Sequence, residues 1–305
     1  MKKLILILSI ILLAGCIKRD SMEDITIYTT IYPIEYITNR LYSEYSTIKS
    51  IYPNGVNAQL EKENIDDKLY TLTEKQLSDY SKGDLFIFNS LLYEGNYVEA
   101  MFKENKNLKI INATDNLTKD EFYGLEEIWL DPSRLLTIAR NIKNGFNEYI
   151  TNYYINQDIE KNFTTLKEEL DKLDSKIAQT TKNADNKIIV VSDDVFNYLS
   201  KDKYGLTVYS LEETDSLTQK TISDVKELIS TDQIKYIYIK KHEEVNNTIK
   251  NIIEGTDVEL IELHMLTNLT ENERNNKKDY FTIMNENIDL IKKGLYNKID
   301  IEGSE

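Results

Sequence analysis

The stretch from Tyr154 to Thr181 constrains the fold more than any other part of the chain. Its apolar residues Ile155, Ile159, Phe163, Leu166, Leu170, Leu173 and Ile177 recur three or four positions apart, which places them on one stripe of an α-helix. No glycine or proline interrupts the chain between Phe146 and Tyr204. Glu168 stands four residues before Lys172, the favourable order for an ion pair along a helix. At about 1.5 Å per residue such a helix runs roughly 40 Å, as long as a small domain is wide. To either side, short apolar segments alternate with helical ones. The sequence therefore predicts a strut joining two α/β lobes, and a single continuous helix as the joint predicts limited hinge motion.

The first lobe offers strands at Ile25 to Thr30, Thr47 to Tyr52, Leu85 to Asn89 and Leu108 to Asn112, with helices near Ile34 to Tyr45, Thr73 to Lys82 and Tyr97 to Lys106. Strands this short, rich in isoleucine and aromatics and separated by helices, point to a parallel sheet with right-handed crossovers. Asp131 before Pro132 marks the start of a further helix to about Tyr149, because the carboxylate can cap free amides and proline is tolerated at the first helical position. The second lobe repeats the plan. Strands fall at Lys187 to Ser192, Leu206 to Leu211, Tyr236 to Ile239 and Val258 to Leu263, and helices at Val195 to Asp202, Thr218 to Ser230, Glu243 to Glu254 and Asp279 to Lys298. Residues Thr267 to Lys278 read as a polar loop whose charge run, Glu271 to Lys278, is a solvated turn.

Its 305 residues suffice for two cores. The formal net charge of −15 argues against a nucleic-acid surface, which needs clustered lysine and arginine. At the amino terminus Lys2 and Lys3 precede the apolar run Leu4 to Ala14, too short to span a bilayer but suited to a signal-peptide core. Leu13, Ala14, Gly15, Cys16 resembles the lipobox of bacterial lipoproteins, which makes Cys16 the expected site of lipidation. Cys16 is the only cysteine, so no disulfide can form within the chain. The expected division is a lipoprotein signal peptide over 1–15, a tether over 16–24, an amino-terminal α/β lobe over 25–153, a linker helix over 154–183 and a carboxyl-terminal α/β lobe over 184–305.

Open α/β sheets bind ligands outside the carboxyl ends of their strands. Two ionisable residues fall there by position: Asp193 after the strand ending at Ser192, and His264 after the strand ending at Leu263. Either could instead be a capping or loop residue, and Asp194 is an equally good cap. The corresponding edge of the first lobe includes Tyr32, the turn Pro53, Asn54, Gly55, and Asn89. A Gly-rich phosphate loop, a histidine pair one helical turn apart, a cysteine pair and a nucleophile elbow are all missing. With one cysteine and two histidines, His242 and His264, the enzyme reading is weak.

Several stretches together resemble the metal-specific substrate-binding lipoproteins of ABC importers, often labelled zinc- or manganese-binding proteins or adhesins. They are Tyr32 and Pro33; Tyr52, Pro53, Asn54, Gly55; Asp84 to Asn89; Trp129, Leu130, Asp131, Pro132; Ser192 to Leu199 with Tyr204, Gly205, Leu206; and Asp279, Tyr280, Met284, Asn287. They run in family order over nearly the whole mature chain. The resemblance implies two Rossmann-like lobes with parallel sheets joined by a single long helix, and one metal ion in the cleft between them. It also implies the ligand positions, where the family typically uses three histidines and a carboxylate. The second falls on Glu127, the third on Asp193 and the fourth on His264. Aligning Tyr70 puts Lys68 at the first, with Asn57, Glu61, Glu63, Asp66 and Asp67 as alternatives in the same loop.

The expected ligand set is thus Glu127, Asp193 and His264 around one divalent cation, zinc or manganese. Two carboxylates and one imidazole form a harder set than three imidazoles and should discriminate less sharply for zinc. What the resemblance implies is a non-enzymatic solute-binding protein, monomeric and lipid-anchored on the extracytoplasmic face of the cell membrane, that delivers the ion to an ABC permease. Two rivals stand beside it. One is the same fold with a lapsed metal site, Lys68 pairing with Glu127 and Asp193, and another small ligand or an adhesive role. The other is a lipid-anchored α/β enzyme.

Overall fold

The computed structural model describes residues 22–55, 72–91, 94–117, 127–200 and 202–296. Cys16, Lys68 and the alternative ligands of the 57–67 stretch lie outside these described residues. Four parallel strands form the first sheet: β1 (Ile25–Thr29), β2 (Ser46–Ser50), β3 (Leu85–Phe88) and β4 (Lys109–Asn112), in the order β2-β1-β3-β4. The central strand β3 is buried along its whole length, whereas the edge strand β2 alternates half-buried and exposed residues. A strand covered on both faces reads as a continuous apolar run. Around this sheet lie α1 (Tyr32–Tyr42), α2 (Glu74–Tyr80), α3 (Gly95–Glu104) and α4 (Pro132–Tyr149). As the sequence predicts, α4 starts on Pro132 with Asp131 accepting from the amide of Ser133 at 2.9 Å.

The second sheet copies the first, with β5 (Ile188–Val191), β6 (Thr207–Ser210), β7 (Tyr236–Lys240) and β8 (Glu259–Leu263) in the order β6-β5-β7-β8. Its helices are α6 (Gln219–Ser230), α7 (Asn247–Ile253), α8 (Glu271–Asn275) and α9 (Tyr280–Leu295). In both sheets the strand order reverses at one place, between β1 and β3 and between β5 and β7. That reversal opens a crevice at the strands' carboxyl ends.

The two sheets are joined by α5 (Tyr153–Lys182), 30 residues and roughly 45 Å long. Asn152 caps it by accepting from the amide of Tyr154 at 3.0 Å, and every residue of the apolar stripe is buried. The first half of α5 belongs to the first lobe, where Asn162 donates to the Leu41 carbonyl at 3.2 Å and Glu169 pairs with Arg40 at 2.6 Å. The second half belongs to the other lobe. Asp174 accepts from the Tyr204 hydroxyl at 2.6 Å, and Lys176 meets Asn285 of α9. One apolar core runs without a break from Ile27 and Phe86 through Leu166 to Ile288, and a second fills the outer side of the second sheet around Val190, Ile237 and Ile249.

Three local readings of the sequence are corrected. Residues Asp194–Leu199 form a 3-10 turn instead of an α-helix. The helix expected from Glu243 begins only at Asn247, capped by Asn246. The supposed solvated turn at Glu271 to Lys278 contains α8, fixed by a capping box in which Thr270 and Glu273 satisfy each other's amides. Its Glu273 is buried. This segment also clamps the lobes together: Arg274 makes a two-pronged ion pair with Glu35 of α1, both contacts at 2.8 Å, while the amides of Tyr32 and Gly55 donate to Thr267 and Leu269.

Candidate metal centre

The sequence-predicted ligands stand at the carboxyl edge of the second sheet and on the segment that leads into α4. Glu127 precedes the turn Ile128–Leu130, with its backbone in the left-handed region at φ 54°. A non-glycine residue held there stores strain of about 1–3 kcal/mol. The anchor beside it is Trp129, fully buried, whose indole N–H donates to the Met265 carbonyl at 2.8 Å and whose own carbonyl accepts from the Tyr280 hydroxyl at 2.8 Å. Both bonds reach the second lobe, so Glu127 is delivered across the junction.

Asp193 follows β5, and its two oxygens divide the work. Oδ1 caps the 3-10 turn by accepting from the Val195 amide at 2.9 Å, while Oδ2 lies 2.9 Å from Lys240 Nζ. Lys240 ends β7, across the strand reversal from Asp193. Its ammonium also lies 3.7 Å from Glu127 Oε2 and 3.5 Å from Glu243 Oε1. Exposure is 6% for Glu127, 7% for Asp193 and 2% for Lys240. A charge so far out of water survives only when paired. Burial alone would lower the lysine's pKa, but Glu127, Asp193 and Glu243 outweigh it and hold the group charged. Glu212, whose Oε2 accepts from the Asp194 amide at 2.9 Å, has its carboxyl pushed up by burial and by Asp193.

His264 occupies a separate polar cluster. Its backbone exchanges two hydrogen bonds with the Asn287 side chain, at 2.9 and 2.8 Å. Nδ1 accepts from the Leu266 amide at 2.9 Å, which assigns the proton of a neutral ring to Nε2, 3.2 Å from Glu273 Oε1. Burial lowers the imidazole's pKa, opposed by Glu273 and assisted by Lys241. Burial would raise Glu273, yet the Thr270 amide and the Lys241 ammonium, 3.0 Å away, bring its carboxyl down to about 2. The structure thus joins Glu127 to Asp193 through a lysine and sets His264 on Glu273. Among the described residues no group of three or more His, Cys, Asp or Glu side chains is placed to hold a metal ion.

Against known proteins, residues 27–294 match the family described as ZnuA, zinc-uptake complex component A, periplasmic. The chain belongs to this zinc-uptake family. Its members are solute-binding components of uptake systems and not enzymes. The chain is 27% identical to the zinc-binding protein AdcA of Streptococcus pyogenes serotype M1 over 168 residues, which are 54% of this chain and 32% of that protein. It therefore spans about one third of the AdcA relatives it matches. With the high-affinity zinc uptake system protein ZnuA of Bacillus subtilis (strain 168) it shares 24% identity over 92% of this chain and 90% of the other. The Zn(II)-bound ZnuA-like domain of Streptococcus pneumoniae AdcA superposes with a TM-score of 0.68 at 22% identity, covering 89% of this chain and 99% of that one. The laminin-binding protein Lbp of Streptococcus pyogenes does so with a TM-score of 0.68 at 16% identity, covering 90% and 99%. These likenesses establish the fold.

Within this zinc-uptake fold the first sheet's crevice holds a buried carboxyl that the sequence reading passed over. Glu94 accepts from the Asn89 amide at 2.8 Å and from the Tyr52 hydroxyl at 3.2 Å, drawing together the ends of β3 and β2. Burial pushes its pKa from 4.5 up to about 7, against the pull of those donors. The native carboxyl keeps its proton between these two values while the unfolded one releases it, so stability should fall as pH rises from 4.5 to 7 and level off above. The loss attributable to Glu94 is about 3 kcal/mol. Urea unfolding at pH 5 and pH 8 should show it in the native sequence and largely lose it in Glu94→Gln; parallel pH profiles would assign the carboxyl no such cost.

Lys240 and Glu273 are likewise buried at the site without figuring among the expected site residues. The predicted strand stops at Ile239, and one residue more would have put a lysine at the same sheet edge as Asp193. Glu273 was legible as well, since Thr270 three residues earlier completes a capping box.

Proposed function

We propose that this chain is the extracytoplasmic solute-binding component of an ABC importer for a divalent metal ion, zinc or manganese, which it hands to a permease. The observation that carries the reading is the convergence of two buried carboxylates, Glu127 and Asp193, on one cationic point at the second sheet's strand reversal, in a chain that the zinc-uptake family matches from residue 27 to residue 294. The names of the AdcA and ZnuA relatives speak for zinc. His264 would be the nitrogen donor, after exchanging its bond to Glu273 for the ion. Asn57, Glu61, Glu63, Asp66 or Asp67 would complete the set, whereas an ammonium at that position, that of Lys68, would repel the ion.

Cys16 would hold the mature protein to the membrane. Among the described residues no helix is long and apolar enough to cross one. Cys16→Ser should abolish lipid modification. For the cargo, calorimetric titration of the mature chain with zinc and with manganese should show binding that weakens in Glu127→Ala, Asp193→Ala and His264→Ala. Binding should also weaken in acid, since ligands must be deprotonated to coordinate. No uptake of either ion, or affinity indifferent to all three substitutions, would rule the metal reading out. It would favour instead a lapsed metal site, the reading that Lys240 supports by already neutralising both carboxylates.

A further inference from the structure

Lys240 stands where a metal bound by Glu127 and Asp193 would have to stand. Its ammonium lies 2.9 Å from Asp193 Oδ2 and 3.7 Å from Glu127 Oε2. Zinc needs its oxygen ligands at about 2.0–2.2 Å, so an ion held by both carboxylates would crowd the same small volume. The two cations are also alike in charge, and they repel. The backbone of Lys240 cannot simply withdraw. It closes β7 beside β8, pairing with Leu263, and the next amide, Lys241, donates to the Leu263 carbonyl at 2.9 Å. Only the side chain can move. Of the three carboxylates paired with it, Glu243 is the exposed one, 3.5 Å away and with a side chain 44% exposed, which marks the way out toward water.

We propose that Lys240 is a built-in competitor for the cation position of this cleft: an internal cation that fills the space between Glu127 and Asp193, so that a divalent ion binds only by driving the ammonium out toward Glu243. The inference rests on the metal reading given above and deepens it. Because the carboxylates are already satisfied, a metal gains only the difference between its own binding and that of the ammonium. The affinity of the native chain is correspondingly low. A lysine, which is a compact point charge on a flexible stem, can be displaced in this way.

The test compares zinc affinity in the mature protein, Lys240→Gln and Lys240→Arg by calorimetry. Lys240→Gln keeps a polar side chain but removes the charge, and should bind zinc at least tenfold more tightly than the native chain. Lys240→Arg keeps a cation and should not. Equal affinity in all three would overturn the proposal and leave the metal reading intact. No zinc binding by the native chain or by folded Lys240→Gln would overturn both together. If Lys240→Gln does not fold, the native protein decides alone: acetylation of Lys240 by acetic anhydride, followed by peptide mass spectrometry, should rise as zinc is added. Protection of Lys240 unchanged at the highest zinc concentration would count against displacement.

Discussion

Lys240→Met should cost the protein about 3–5 kcal/mol of stability in urea unfolding at pH 7, the usual effect of leaving a buried charge without its partner. The substitution removes the ammonium and leaves Glu127 and Asp193, at 6% and 7% exposure, facing each other out of water. Like charges in that position must either repel or take up a proton, and both routes weaken the native state. The loss is specific to the pairing. Replacing all three at once, in Glu127→Gln, Asp193→Asn, Lys240→Met, should recover most of it, because exchanging an entire buried ionic set for neutral groups is often neutral or better. A double-mutant cycle between Lys240→Met and Asp193→Asn should then give a coupling well above the few tenths of a kcal/mol expected of independent sites. A loss below about 1 kcal/mol for Lys240→Met, the range of an exposed ion pair, would mean that the cluster is solvated.

Leu166→Pro should be as damaging, for a different reason. Proline inside a helix removes one backbone hydrogen bond and clashes with the carbonyl four residues earlier, at a cost of about 3 kcal/mol or more. Leu166 is also fully buried in the core that spans both lobes. The break would fall between Asn162, which holds α5 to Leu41 of the first lobe, and Lys176, which holds it to Asn285 of the second, leaving the ion pair of Glu169 with Arg40 as the one first-lobe tie named above that lies beyond it. Small-angle scattering should therefore report a changed lobe arrangement, alongside a lowered unfolding midpoint. An unchanged profile from folded Leu166→Pro would transfer the role of strut to the clamp of Arg274 on Glu35. That clamp is the part of the junction which helical periodicity does not reveal.

The sequence by itself determined the long helix, because a stripe at spacings of three and four with no glycine or proline has no other way to bury itself. It determined the two parallel sheets for a similar reason, since short apolar runs alternating with amphipathic segments leave few other architectures. The strand ends followed, and with them the positions of Asp193 and His264 at a sheet edge. Glu127 came from the resemblance alone. What the sequence left open was which edge residues meet. Lys240 and Asp193 are neighbours only because β7 lies beside β5, while Glu127 joins them from the segment leading into α4, held there by the Trp129 and Tyr280 hydrogen bonds. His264 went instead to Glu273, on a helix too short for periodicity to announce. A carboxylate in a sequence carries no mark of its partner: whether it faces a metal, an ammonium or water is set by distances of a few ångströms, and those are fixed only when separate segments pack together and lose the solvent that would otherwise satisfy them all.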